Sequence, residues 1–501
     1  MPSSFNQTIK TKIIEDFIKD VANTQVSYYI GFGKNDAWSD DSNPPLANTS
    51  IQSYFYDVHK NLICGKKLDS TSVSPIIRRI VWQTGTVYNQ YDHTDANIYY
   101  KNFYVINSYG RVYKCLFNNY GSASTVMPDG NMTLGDFDTA DGYKWKYLYT
   151  MSPAMQVNFA SAELMPVYTD SSVSSKSVDG AIHTCFVSTK GSGYVSANGI
   201  IDSVLSSNVF KISNTTSSSN VGIYNNSTFY VNGGVTSSSR SVIDKYISNT
   251  SGRYVYTKTL ITELAGSTYS ISPQVKFTGD GSDVFAMAVV NPVNGEISKI
   301  NVINKGSNYR YCTSEIIANT LYGSGATSYP VISPKGGHGA NNMYELGAKT
   351  IAISLSTNQS VDGGKFLTWY TYRQTSLLYN PISSSTGSVY TGTNFTQLTK
   401  FVLSTFTDRF TVGDTVSNYS GASATVVYMD TTNKLLYVKN IVNGSFHEND
   451  IIYSKQITAT ISTINNTDIA PYSADVLYYN NIKPISRTGI TTEQVKIYFS
   501  I

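Results

Sequence analysis

The sequence predicts a mainly β protein, β-rich α+β in class, with a discontinuous β-sandwich core, an N-terminal helix and inserted small β-modules. Aromatic residues make up 13% of the 501 residues, 40 of them tyrosines, and rings of this kind favour the pleated, half-buried surface of a strand. Apolar residues alternate, or run over strand lengths, between Gly, Asn and Asp turn signals along most of the chain. The clearest helical periodicity lies near the amino terminus. At roughly 150 residues per domain, the length fits about three domains, or one core carrying large insertions.

Ile9, Ile13, Ile14, Phe17, Ile18 and Val21 share one face of a helix of about four turns. YYIGFGKNDAWSDDSNPP (28–45) reads as an apolar strand that breaks at Gly33 into a polar, proline-closed loop carrying Trp38. SPIIRRIVWQTGTVY (74–88) and NFYVINSYGRVYKCLFNN (102–119) are strand-like, the second turning at 107–111. DGYKWKYLYTMSP (141–153) sets Tyr143, Trp145, Tyr147 and Tyr149 on one side of a strand, an aromatic row that must face something. From about 173 to 329 Ser, Asn and Gly dominate, and KGSGY (190–194) is echoed by KGSNY (305–309), which suggests two copies of a small β-module. Strands 284–290 and 297–303 are joined there through an Asn-Gly turn, and 410–442 reads as a third such unit turning at 430–434. ISPKGGHGANNMYELGAKTIAISLS (332–356) passes from a glycine-rich turn through Tyr344 and Leu346 into a β-branched strand. Val495, Ile497, Phe499 and Ile501 alternate in a closing strand, which needs a partner for its backbone groups, so both chain ends are expected in one core. The expected organisation is 1–172 as the N-terminal part of the core, 173–330 as inserted β-modules, 331–384 as core continuation, 385–468 as a second inserted module and 469–501 as the C-terminal core strand.

Lys and Arg number 37 against 34 Asp and Glu, a net charge of +3, and only 14% of residues are charged. That balance argues against a nucleic-acid-coating protein, an acidic tail or a polybasic membrane anchor. A charge-poor, hydroxyl-rich surface meets neighbours without burying unpaired ions, so composition leans toward assembly. No apolar run approaches the roughly 20 residues of a spanning helix, and MPSSFNQTIK lacks a secretion-signal pattern, so the chain is expected in a cytoplasm or in a particle assembled there. Cys64, Cys115, Cys185 and Cys312 are scattered and read as buried thiols rather than zinc ligands or a disulfide framework. His59, His93, His183, His338 and His447 lack ligand spacing, and no metal is expected. GGHGA (336–340) reads as a tight turn with positive φ at Gly336, Gly337 or Gly339 rather than a phosphate cradle, because no helix pattern follows it. GDFDTADG (135–142) clusters Asp136, Asp138 and Asp141, but Tyr147 stands where a calcium loop needs Glu, and a solvated turn is favoured. No nucleophile elbow occurs and no Cys–His pairing can be argued from the residues, so a triad assembled in space is left without support and the sequence names no catalytic residue or cofactor. Trp38, Trp82, Trp145 and Trp369 could stack on sugar rings, against the plainer reading of aromatics filling cores and interfaces.

YYIGFGKNDAW, IIRRIVWQTG, RVYKCL and GDFDTADGYKWKYLYTMSP occur in that order, and the chain closes with TTEQVKIYFSI. In this the sequence resembles the baseplate wedge subunit family called gene product eight in contractile-tailed bacteriophages. SPKGGHGANNMYELGA is similar to a segment of larger members from phages of cyanobacteria. The likeness covers roughly 1–170, 331–380 and 470–501, and departs from the family at Lys34, where an Arg is usual, and in the Ser/Asn-rich insertions. It implies a non-enzymatic structural protein of the virion tail baseplate, a homodimer in contact with other wedge subunits, without nucleic acid, membrane or small-molecule partner. Trp38, Arg78, Arg79, Trp82, Tyr143, Trp145 and Tyr147 are then the positions expected to build the shared core or to anchor neighbours. The doubled Arg is suited to bidentate binding of a carboxylate across an interface. The alternative from another class is a carbohydrate-binding tail adhesin or depolymerase, which predicts a concave, aromatic-floored groove in 175–330 or 385–465. A neighbouring wedge or tail-connector protein sharing the inserted modules is a second alternative.

Overall fold

The computed structural model describes residues 6–47, 53–130, 135–194, 273–291, 293–317, 323–358, 361–366, 371–484 and 492–500, and the backbone of several strands within 197–271. The chain is mainly β, with 45% of residues in strands and 12% in helices. It divides into two compact units, Met1–Ile77 with Ala154–Ala160 and Ala348–Ile501, and Arg78–Pro153 with Ser161–Gly347. This division runs through the 1–172 segment that the sequence treats as one. No helix among the described residues is long and apolar enough to cross a membrane.

In the first unit, five antiparallel strands lie in the order Asn394–Thr396, Leu62–Lys67, Tyr28–Gly33, Gln374–Tyr379 and Asp475–Asn481. Tyr28–Gly33 is the central strand and is buried along its whole length, so both faces of the sheet are covered there. Tyr29, its second residue, donates to the Gly392 carbonyl at 2.6 Å, which satisfies its hydroxyl inside the core. The helix Gln7–Val21 is capped by Asn6, whose Oδ1 accepts from the Ile9 N–H at 2.9 Å. Its inward stripe is narrower than the periodicity predicts: Thr11, Ile14 and Val21 are buried, whereas Ile9 and Ile13 are 44% and 40% exposed. Thr11 contributes a tether instead, its hydroxyl donating to the Ala348 carbonyl at 2.8 Å. The closing strand Glu493–Ser500 pairs with Thr350–Thr357, which pairs in turn with Val73–Arg78.

Residues 399–465 form a closed six-stranded barrel around Phe401, Val416, Val426, Leu436, Val438 and Ile461. The segment 410–442 is therefore not a third copy of the Lys-Gly-Ser module. Its hairpin Ser423–Asp430 and Leu435–Val442 closes only with four further strands, which leave it without free edges.

The second unit holds a four-stranded sheet, Tyr104–Ile106, Arg111–Asn118, Tyr143–Thr150 and Asp136–Asp138, with the expected turn at 107–111. Segment 74–88 is a strand only as far as Arg78. Beyond it, backbone groups are satisfied singly, Trp82 N–H on Ile106, Gly85 on Ser124 and Tyr91 on Cys115. A six-stranded sheet runs in the order Ile297–Ser307, Ser282–Val290, Gln274–Gly279, Cys312–Ile317, Ser324–Ile332 and Ile182–Ser192. The KGSGY and KGSNY motifs end its two outer strands, so they are not separate modules but the two halves of one sheet. A pseudo-twofold axis between Gln274–Gly279 and Cys312–Ile317 relates them. Ser282 pairs with Ser307 and Val284 with Lys305 in one half, and Ser324 with Ser192 and Ala326 with Lys190 in the other. The halves share one core, to which Cys185, Val187, Ala286, Ile297 and Ile316 contribute.

Gly306 shows why the motif needs glycine. Its φ is +61°, and an added Cβ would lie 2.4 Å from the Ser282 carbonyl oxygen. Gly306→Ala is expected to cost this hairpin about 1–3 kcal/mol, read as faster amide exchange in Ser282–Val290. Exchange rates unchanged from the parent protein would refute that.

Candidate functional site

The residues that the sequence singles out fall into two groups. Tyr143, Trp145 and Tyr147 are buried in the aromatic cluster of the four-stranded sheet, with Tyr88, Tyr113 and Cys115. Tyr149 leaves that row: it is buried against Tyr168 and donates to the Pro166 carbonyl at 2.9 Å. Trp82 is half-buried at the edge of the cluster, its indole N–H donating to Ser124 Oγ at 3.1 Å. Arg78 is exposed and donates to the Lys101 carbonyl at 2.8 Å, while Arg79 is half-buried and donates to the Ser161 carbonyl at 3.1 Å. Both guanidinium groups thus meet backbone oxygens of their own chain. Trp38, in the first unit, is half-buried under the Lys34 ammonium, 5.1 Å from the ring centroid. Trp369 lies outside the described residues.

The residues that sequence reasoning missed lie on the other face of the four-stranded sheet. Strand alternation that turns Tyr113, Cys115, Phe137, Tyr143, Trp145 and Tyr147 one way turns Lys114, Asp136, Lys144 and Lys146 the other. Two distant segments meet this charged face, His183 from Ile182–Ser192 and the 336–345 loop with His338 and Glu345. Lys114 Nζ lies 2.6 Å from Glu345 Oε1, 2.9 Å from His338 Nδ1 and 3.4 Å from the centroid of the Tyr91 ring. Lys114 is fully buried and Glu345 is 5% exposed. The second carboxylate oxygen of Glu345 accepts from the Gly339 N–H at 2.6 Å. Burial pushes the Glu345 carboxyl up, but the Lys114 ammonium overrides it and the carboxyl is held down at about 2. Burial lowers His338 well below the ordinary imidazole range, and the Lys114 charge adds to this, so a neutral ring accepts from the ammonium.

The glycine-rich turn explains how the loop reaches that position. Gly336, Gly337 and Gly339 have φ of +85°, +98° and +85°, which carries His338 inward. A one-turn helix does follow, Asn342–Glu345, capped by Asn341, although four residues are too few to show a periodicity in sequence.

His183 stands perpendicular to His338 with ring centroids 4.8 Å apart, and its Nδ1 is 3.4 Å from Asp136 Oδ2. Burial pulls His183 down to about 4 against the support of Asp136. Asp136 is also met by Lys305, and by Lys144 at 3.5 Å. Burial alone would raise the Asp136 carboxyl, but His183, Lys305 and Lys144 hold it well below the usual carboxylate range. GDFDTADG is therefore a turn only at 139–142, and Asp136–Asp138 is a strand. Asp136 is buried among cations, and Asp141 accepts from the Thr125 and Val126 N–H groups at 2.8 and 3.0 Å. The signal was present in GDFD, YKC and YKWKY, where charges alternate with rings on strands too apolar to be exposed on either face.

Asp136, Lys146, His183, Lys305 and His338 border a cavity of about 260 Å³. In the first unit a cavity of about 810 Å³ beside the barrel is lined by Lys60, Lys439, Asn440 and several Ser and Thr residues. Its rings are His59 and Tyr472, and no carboxylate is among its lining residues. All four cysteines are free, with Cys64, Cys115 and Cys185 buried and Cys312 half-buried. Among the described residues no group of three or more His, Cys, Asp or Glu side chains is placed to hold a metal ion. No protein-family model and no curated protein sequence matches this chain.

Proposed function

We propose that the protein is a non-catalytic structural subunit of a contractile-tail baseplate wedge in a bacteriophage virion. It works through contacts with a second copy of itself and with the other wedge subunits. The observation that carries this reading is where the family-like segments lie. YYIGFG is the buried central strand of the five-stranded sheet. RVYKCL and DGYKWKYLYT supply the paired central strands of the four-stranded sheet. EQVKIYFS (493–500) pairs with the strand that follows SPKGGHGANNMYELGA. A likeness that supplies the central buried strands of two sheets is what a shared scaffold leaves behind.

The surface suits assembly. Tyr56, Tyr100, Tyr109, Tyr311 and Tyr419 are exposed, Tyr419 by 78%, and such rings bring large contact area with a polar tip at low entropic cost. Arg78 is exposed, and its guanidinium carries more donors than the hydrogen bond to the Lys101 carbonyl uses. Contacts centred on rings and hydroxyls can hold through assembly and still rearrange when a tail contracts, because few buried ion pairs must be broken.

The test is a reconstruction of the intact particle at a resolution that shows Trp82 and Trp145. A pair of copies in each wedge, enclosed by other baseplate proteins, is the expected result. Outward-projecting trimers with bound polysaccharide would overturn it in favour of the adhesin.

A further inference from the structure

We infer that the cavity beside Lys146 is a binding site for a small inorganic oxyanion of the phosphate or sulfate class. Lys146 is only 6% exposed and lines the cavity. Among the described residues its ammonium forms no hydrogen bond and no ion pair, although two carboxylates lie close by. Both are already taken: Glu345 by Lys114 and the Gly339 N–H, Asp136 by Lys305 and Lys144. A lysine this deeply set, whose nearest carboxylates are shared among other cations, leaves positive charge in excess, so a position of this kind points to a ligand that supplies the missing charge.

The rest of the lining has the same sign. Lys146, Lys176 and Lys305 bring three ammonium groups against the single carboxylate of Asp136. Lys176 is exposed and the Lys305 side chain is 39% exposed, so cations stand at the mouth while Lys146, His183 and His338 form the floor. His183 Nδ1 is buried at the same floor, 3.4 Å from Asp136 Oδ2 but without well-formed hydrogen-bond geometry to it. The volume of about 260 Å³ lies below the roughly 300–1,000 Å³ that drug-sized ligands fill, which excludes a nucleotide but admits a small tetrahedral ion with part of its water. Such an ion accepts from several ammonium groups at once through charge-assisted hydrogen bonds.

The assignment is independent of the wedge reading, and either can fail alone. The experiment is isothermal titration of the full chain with sodium phosphate and with sodium sulfate, against sodium chloride at matched ionic strength. One phosphate or sulfate per chain should bind saturably and chloride should not. Lys146→Met should weaken that binding about tenfold or more, the loss expected for one charge-assisted contact. Lys176→Met, an exposed substitution that leaves the fold intact, should weaken it severalfold, whereas Lys299→Met, paired outside the cavity with Asp138, should leave it unchanged. If Lys146→Met does not fold, the comparison of Lys176→Met with Lys299→Met decides. Absence of saturable binding up to about 10 mM of either anion, an equal response to chloride, or undiminished affinity in the folded Lys146 and Lys176 variants would overturn the inference.

Discussion

Lys114→Met is expected to destabilise the unit that contains it by about 3–5 kcal/mol, because the Glu345 carboxylate stays buried and loses the ammonium that compensates it. Desolvation decides the size of the effect. Both side chains are withdrawn from water, and the Gly339 N–H and a neutral His338 cannot replace a full positive charge at 2.6 Å. The substitution also removes the cation from the Tyr91 ring. Replacing both partners, Lys114→Met with Glu345→Leu, should recover most of the loss, since an apolar pair of similar volume carries no desolvation cost. A chain with two units need not unfold in one step, so the measurement is amide exchange resolved to the strands Arg111–Asn118 and Tyr143–Thr150. Parent-like protection in the single variant, or a double variant no better protected than the single, would refute the argument.

That pair also marks the limit of what the sequence discloses. Local patterns were readable where turn residues punctuate runs of strand-forming residues: the 104–118 hairpin, the turn at 430–434 and the closing strand all follow from such runs and their turns. Reading failed where partners distant in sequence set the structure. Lys114 and Glu345 are 231 positions apart, and nothing local announces that they meet. The reading of GDFDTADG as a solvated turn follows from its composition, but Asp136 is buried because Lys144, Lys305 and His183 converge on it. Segment 79–88 carries strand-like residues yet forms only isolated bridges, since Ile106 and Ser124 each exchange a single pair of backbone bonds with it. The repeat at 190–194 and 305–309 was visible in the letters. Its meaning, two halves of one sheet, needed the register of Ser282 with Ser307 and Ser324 with Ser192.

Acid should loosen this unit progressively from about pH 6.5 to pH 2, and earlier than it loosens the barrel. His183 titrates at about 4 in the folded chain, lowered by burial, against about 6.5 when unfolded. A depressed imidazole means that the unfolded chain binds more protons across that window. Stability is therefore present above about pH 6.5 and is lost as pH falls toward 4, by about 3 kcal/mol for His183 alone. His338, lowered by burial and by Lys114, adds to the loss in the same direction. Glu345 then takes over: burial would raise it, Lys114 holds it at about 2, and its contribution disappears between about pH 4.5 and pH 2. Asp136, held low by His183, Lys305 and Lys144, follows the same sign. The barrel has no such group in its core, which is built from Phe, Leu, Val, Ile, Ala and Met side chains, and its His447 is solvent-exposed. Strand-resolved amide protection, corrected for the intrinsic pH dependence of exchange, should thus fall first in Tyr143–Thr150 and later in Leu435–Val442. His183→Asn should flatten the decline between about pH 6.5 and pH 4 while leaving the Glu345 step in place. Simultaneous loss of protection in sheet and barrel, or an unaltered profile in the His183 variant, would show that the buried imidazoles do not govern the acid response.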